Sequence, residues 1–262
     1  MSTKEWPLAW SYHRNTERWP HNIRALGGAT NPVGMFSERL DCPRIDLPSP
    51  TELAISLGAA IRARCSCRSF ADASLDLGHV STLLAAGYGV HGRTVLGDGQ
   101  ELLERSVPSG GGLYPLELYL LVRKVTTLEP GVYHYLPLYH QLEQIERIVL
   151  PGPLLGELFL GQPYLASASL IICIAAMLPR SLWKYSDRGY RYVLMEAGHV
   201  GQNLNLAGVG LGLGSLDLGG FLDRPLAELL HCADEHELPL YGVAFGPPTT
   251  LDRAQVRQPS GV

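Results

Sequence analysis

The longest helical pattern in this chain is punctuated by glycine, and that combination restricts what can pack around it. Val193, Leu194, Ala197, Val200, Leu204 and Ala207 recur at helical spacing and predict a helix over 190–209. Gly198, Gly201 and Gly208 interrupt it, each costing about 1 kcal/mol relative to alanine. Such residues make sense where another backbone or a flat ring comes close. The run Gly208-Val209-Gly210-Leu211-Gly212-Leu213-Gly214 then reads as a glycine-rich helix end turning into a strand. It is not a dinucleotide fingerprint: position 213 is leucine, and a helix rather than a strand precedes the run.

Around this helix the other elements can be placed. Ser49-Pro50-Thr51-Glu52 predicts a helix start, with Leu53, Ile55, Leu57 and Ile61 carrying the helix toward a group of arginines. A second helix is predicted over 77–86, ended by Gly87. Apolar runs at 117–123 and 170–176 predict buried strands, 131–136 and 139–145 a hairpin, and 238–245 a last strand. Short helices are expected at 153–160 and 223–232. Helices and hairpin strands mix without regular β-α-β alternation, which predicts an α+β fold. Residues 1–48 read as an arm lying on the body or on a partner subunit, 49–250 as one domain, and 251–262 as a tail.

Composition excludes several classes. The 262 residues carry a formal net charge of −4, so no global basic excess points to nucleic acid. The amino terminus lacks the apolar core of a signal peptide, and the apolar stretch 170–178 is too short to span a bilayer. A cytoplasmic protein with no membrane contact is expected. The odd cysteine count, 5, predicts free thiols. Cys65 and Cys67 form C-x-C rather than C-x-x-C, and His231, Cys232 and His236 match no ligand spacing, so no metal is expected.

Three stretches carry potential chemistry. Arg62, Arg64 and Arg68 crowd the end of a predicted helix, where a cationic end is also ordinary complementarity to the helix dipole. Pro108-Ser109-Gly110-Gly111-Gly112 is a turn stripped of side chains; its entropic cost implies a close approach, against the plainer reading of a tight connection. Arginine forks match phosphate oxygens and bare backbone accommodates a ring, so together they suggest a pocket for a phosphorylated planar cofactor. Trp183-Lys184-Tyr185-Ser186-Asp187-Arg188-Gly189-Tyr190-Arg191-Tyr192 is dense in titratable groups, although composition alone favours an exposed loop. An ammonium is no base, so Lys184 acts as one only where its surroundings favour the neutral amine; Arg188 and Arg191 are candidate neighbours. No G-x-S-x-G is present, and His199 sits mid-helix, the usual place of a packed histidine.

From about Ser49 to Pro248 the chain resembles SagB-type dehydrogenases of the nitroreductase-like flavoprotein superfamily, which include azoline dehydrogenases of peptide-modifying pathways. Arg64-Cys65-Ser66-Cys67-Arg68-Ser69-Phe70 resembles R-R-S-x-R-x-F, and 107–119 resembles V-P-S-A-G-x-L-Y-P-L-E-x-Y. Gly131-Val132-Tyr133-His134-Tyr135 resembles G-x-Y-x-Y, 183–192 resembles W-K-Y-G-x-R-G-Y-R-Y, and 196–204 resembles D-A-G-H-x-x-Q-N-L. The resemblance implies a nitroreductase-like fold, with a central mixed or antiparallel sheet flanked by helices. It also implies an intertwined homodimer with FMN in a cleft formed by both subunits.

By the same resemblance Arg64, Cys65, Ser66 and Arg68 fall in the phosphate-holding segment. Pro108, Ser109, Gly110 and Gly112 match the turn beside the flavin ring, and Leu218, Gly219 and Gly220 the backbone on its other side. Lys184 and Tyr185 match a catalytic pair for oxidising thiazoline or oxazoline rings to aromatic azoles. The substrate would be a small molecule or a peptide- or carrier-bound intermediate, supplied with the help of a biosynthetic partner protein. Cys65 departs from the family's second arginine, and Gly110-Gly111-Gly112 is more open than the family turn. Two alternatives remain: an NAD(P)H-dependent nitro or flavin reductase of the same fold, and a non-catalytic scaffold subunit.

Overall fold

The computed structural model describes residues 7–18, 34, 36–95, 97, 101–232 and 236–249. The predicted tail and much of the predicted arm lie outside the described residues. The centre is an antiparallel seven-stranded sheet in the order β1-β6-β5-β4-β7-β9-β8. These strands are β1 (Arg44–Asp46), β4 (Leu116–Val122), β5 (Gly131–Leu136), β6 (Gln141–Arg147), β7 (Leu170–Met177), β8 (Gly214–Leu218) and β9 (Glu237–Gly246). Every residue of β4 and β7 is buried, as their unbroken apolar runs require of strands covered on both faces.

On one face Leu116, Leu118 and Leu120 of β4 pack with α3 (Leu77–Tyr88) and α6 (Arg188–Gly210). On the other, Tyr119 and Leu121 pack with α4 (Gly152–Leu158) and α7 (Asp223–Leu229). Two of the three α6 glycines singled out by the sequence, Gly201 and Gly208, meet flat rings, whereas a Cβ at Gly198 would meet nothing within 4 Å. A Cβ at Gly201 would lie 2.6 Å from the Tyr241 ring and one at Gly208 3.0 Å from the Phe245 ring, both on β9. Gly212 (φ 70°) then turns the chain into β8.

Some expectations need correction. The helix expected from Ser49 begins at Ser56, whose hydroxyl accepts from the Ala59 N–H, and forms α2 (Leu57–Ala63). The preceding residues stay out of the helix because they are held elsewhere: the Thr51 N–H bonds the Thr82 hydroxyl, and Leu53 and Ile55 pack at Gly210. Gly87 does not end α3. A Cβ there would lie 2.7 Å from Leu204 of α6, so this glycine is a helix-packing contact, and the cap is Gly89. The stretch expected as a loop around Lys184 is the helix α5 (Pro179–Tyr185). Weak periodicity hid α1 (Pro7–Asn15) and the hairpin of β2 (Val90–Val95) with β3 (Glu101–Arg105).

Candidate active site

Proline in its first turn starts α5, and the helix ends after about two turns at Tyr185. Its last residues aim at the bare turn. Gly111 (φ 70°) and Gly112 (φ 66°) are in the left-handed region, in a 3-10 turn over Gly110–Gly112. A Cβ on Gly111 would lie 2.5 Å from the Tyr185 hydroxyl and 2.8 Å from Lys184 Nζ. Only glycine lets both side chains rest on this backbone. Gly110 abuts Tyr192 of α6, whose ring meets Tyr185 edge-on at 5.0 Å. Burial, and secondarily Tyr192, raises the Tyr185 pKa, so the phenol keeps its proton and serves as a donor.

The neighbours expected for Lys184 are engaged elsewhere. Arg188 Nη1 donates to the Thr16 carbonyl at 3.0 Å, and Arg191 Nη2 lies 3.3 Å from His13 Nδ1.

Buried polar clusters hold both sides of this junction. Ser109 accepts the Tyr114 N–H at 2.9 Å and shares a hydrogen bond with Glu196 of α6. Glu196 is only 2% exposed and also accepts from Tyr88 at 2.9 Å. Burial pushes its carboxyl up to about 7, against the opposing hydrogen bonds and the charge of Arg105. Under α5, Arg180 pairs with Glu117 at 2.6 Å. Glu117 in turn contacts His134 at 3.0 Å, and His134 contacts Glu143 at 3.1 Å. Burial opposes every charge here, yet the two carboxylates push His134 up to about 9. His134 and Arg180 hold Glu117 well below the ordinary carboxylate range. Arg180 also donates to the Gly34 carbonyl and the Ser37 hydroxyl, fastening part of the amino-terminal segment to the sheet.

The arginine segment lies elsewhere. Arg64 caps α2 through its N–H to the Ala60 carbonyl. Ser66 bridges Ser215 of β8, and the Cys67 N–H bonds the Ser215 carbonyl at 2.8 Å. Ser215 donates to Asn205 of α6, and Asn205 donates to Asp217, which fixes the edge strand beside the segment. Cys65 and Arg68 are exposed, while Cys67 is buried. At the end of β8, Leu218 is buried, a Cβ on Gly219 would meet nothing within 4 Å, and one on Gly220 would meet Leu160 at 2.9 Å.

Within the chain these two segments do not meet. The glycine turn contacts Tyr192 and Glu196 near the start of α6, and the Ser66 segment reaches Asn205 through Ser215 near its end. At about 1.5 Å per residue these contacts lie about 14–20 Å apart along the helix. Beside the later part of α6 a cavity of about 380 Å³ is lined by Leu57 and Ala60 of α2, Ala86 of α3, Ser106, and Asn203 and Leu206 of α6. His199 is not packed as expected; it is exposed on α6, on the side turned away from the sheet, with Leu194, Met195, Gly198 and Gln202.

Sequence reasoning passed over Arg180, His134 and Arg105 as site supports. Their partners lie on other strands and helices, and no spacing along the chain marks them. Among the described residues no helix is long and apolar enough to cross a membrane.

Comparison with known proteins agrees with this fold. A family model described as the nitroreductase family matches residues 61–247. A candidate nitroreductase of Methanocaldococcus jannaschii is 38% identical over 192 residues, covering 72% of this chain and 90% of that protein. The microcin B17-processing protein McbC of Escherichia coli is 35% identical over 153 residues, covering 55% of this chain and 54% of that one. The crystal structure of a candidate nitroreductase from Anabaena variabilis superposes with a TM-score of 0.75 at 28% identity, over 97% of this chain and 48% of that chain. The chain thus spans about half the length of the last two proteins. It belongs to the nitroreductase family.

Proposed function

We propose that the protein is an FMN-dependent dehydrogenase that oxidises an azoline, or a similar amino-acid-derived ring, to its aromatic product. The observation that carries this reading is the convergence of Lys184 Nζ and the Tyr185 hydroxyl on Gly111. The likeness to a microcin-processing protein supports the substrate class. The residues present suit a flavin. The turn at 110–112 offers backbone without side chains, Gly219 offers more, and Arg64, Ser66 and Arg68 supply phosphate donors beside β8.

The two segments meet α6 at separate levels, and on this reading the complete site forms between two copies of the chain. The intervening surface suits a seam. Leu194 (44% exposed) and Met195 (56% exposed) flank a bare Gly198 on α6, and Leu57 and Ile61 are exposed on α2.

When bound, FMN supplies the acceptor for the hydride that leaves the ring carbon next to the acidic α-carbon. Lys184 is the candidate base for the α-proton of the substrate. Tyr185, which keeps its own proton, orients the ring or returns a proton to solvent. The Ser109–Glu196 bond fixes the turn on which the ring lies. Peptide-bound or carrier-bound substrates would reach the site with a partner protein.

The test is a Lys184→Ala protein. It should purify yellow, release FMN on denaturation and lose thiazoline-peptide oxidation by about 10²–10⁴-fold. Retained turnover removes Lys184 as the base, and colourless protein unable to take up FMN removes the flavin. The 90% coverage of the Methanocaldococcus protein favours a second reading, a nitro- or flavin-reducing enzyme. Rapid bleaching by NADPH with no azoline oxidation would select it.

A further inference from the structure

Between the candidate catalytic pair and α6 stands one residue, Ser186, with φ 50° and ψ −151°. This is backbone that glycine adopts freely and a residue with a Cβ adopts only under strain. The family motif resembled by this stretch carries glycine at this position. In this chain the carbonyls on both sides of the strained residue are gripped by the amino-terminal segment. The Tyr12 hydroxyl donates to the Asp187 carbonyl at 3.2 Å, and Arg18 Nη2 donates to the Tyr185 carbonyl at 2.9 Å. The grip is reciprocated by Arg188, which donates to the Thr16 carbonyl, and by Arg191, whose guanidinium stacks 5.7 Å from the Tyr12 ring centroid. Thr16 is buried in this contact, while Leu8 and Trp10 on α1 are exposed, so α1 attaches through the junction face. The helix lies outside the matched family region, which begins at residue 61.

We propose that α1 and the residues that follow it to Arg18 are a clamp on the α5–α6 junction, with Tyr12 and Arg18 as positioning residues that act through Ser186 to hold Lys184 and Tyr185 over Gly111. The catalytic meaning of the clamp rests on the reading given above; its geometry does not. Three ordinary hydrogen bonds are of the same order as the cost of holding a non-glycine residue in this conformation. With the clamp in place the strained turn persists. Without it the serine relaxes, the end of α5 turns, and the lysine amine and the phenol leave the bare backbone. Glycine at 186 would hold the same turn unaided.

Four full-length proteins test this: wild type, Tyr12→Phe/Arg18→Ala, Ser186→Gly and the triple variant. The first readout is acylation of Lys184 by N-hydroxysuccinimidyl acetate, followed by peptide mass spectrometry. Lys124, ion-paired with Asp72, serves as the internal reference. Loss of the clamp should speed Lys184 acylation roughly tenfold through local opening, and the added Ser186→Gly change should return it to within about twofold of wild type. The second readout is thiazoline-peptide oxidation. Loss of the clamp should lower kcat about tenfold or more with KM unchanged, and the triple variant should recover it. Unchanged acylation in Tyr12→Phe/Arg18→Ala, or a rise that Ser186→Gly does not reverse, overturns the clamp. If acylation follows the expected pattern while no protein, wild type included, oxidises the peptide, the clamp stands and the azoline reading fails.

Discussion

Two carboxylates are buried on opposite faces of the same sheet, and they are kept there by opposite means. Glu117, beneath α5, lies between the cations of Arg180 and His134 and stays ionised far into acid. Glu196, beneath the glycine turn, has neutral donors in Tyr88 and Ser109 and only the more distant charge of Arg105, so burial pushes it up to about 7. One side of the candidate site is therefore anchored by a charge network that cannot lose a member. The other is anchored by a carboxyl that changes state near neutrality. Low-dielectric surroundings produce both outcomes, and the partner's charge decides between them.

Removing a cation from the first cluster should have the largest effect. Arg180→Ala leaves Glu117 buried with a single cation and releases the contacts to Gly34 and Ser37. A loss of about 3–5 kcal/mol is expected in urea unfolding at pH 7. A loss under about 1 kcal/mol, the level of an exposed pair, would mean the network is not the closed charge cluster described.

Glu196→Gln separates the two regions by pH. Folded Glu196 holds its proton up to about pH 7, whereas in the unfolded chain it ionises near its ordinary value of 4.5. The folded state binds more protons across that window, so stability falls as pH rises from about 4.5 to about 7, by about 3 kcal/mol. Glutamine should abolish that slope. His134 gives a second decline. Its contribution is fully present below about 6.5 and is lost as pH rises through about 9. Wild type should thus lose stability in two steps and Glu196→Gln only in the upper one. A lower step that survives in Glu196→Gln contradicts the assignment.

The difference between the clusters also explains what could be read from sequence. Apolar runs announced β4 and β7, because strands covered on both faces have no polar alternation to hide. Gly201 and Gly208 of α6 announced the rings of Tyr241 and Phe245, because only a close approach offsets their cost in a helix. The close approach inferred at the triple-glycine turn has its cause in Lys184 and Tyr185. The charge network was not legible. Glu117, His134, Glu143 and Arg180 come from three strands and a helix, and only the antiparallel register places His134 beside Glu143. The strained Ser186 was equally hidden, since nothing in the residue type reports its φ. The helix start at Ser56 instead of Ser49 was lost to tertiary contacts, because Thr51 is bonded to Thr82 on another helix.

The smallest effect is also the sharpest probe of why Glu196 titrates where it does. The Tyr88 hydroxyl donates to Glu196 and accepts the Leu116 N–H at 3.2 Å. Tyr88→Phe removes both bonds and leaves a buried amide unpaired, at a cost of about 1–2 kcal/mol at pH 5. The lost hydrogen bond had been lowering the Glu196 pKa, so the substitution moves it higher. The lower stability step should then extend above pH 7 and run into the decline caused by His134. Unfolding free energies between pH 4 and 10 would show a single broad fall in place of two. In a Tyr88→Phe/Glu196→Gln double variant the lower step should vanish while the His134 step stays. If Tyr88→Phe costs stability equally at every pH, burial alone sets the Glu196 carboxyl, and the two clusters differ in cation count rather than in the hydrogen bonds their carboxylates accept.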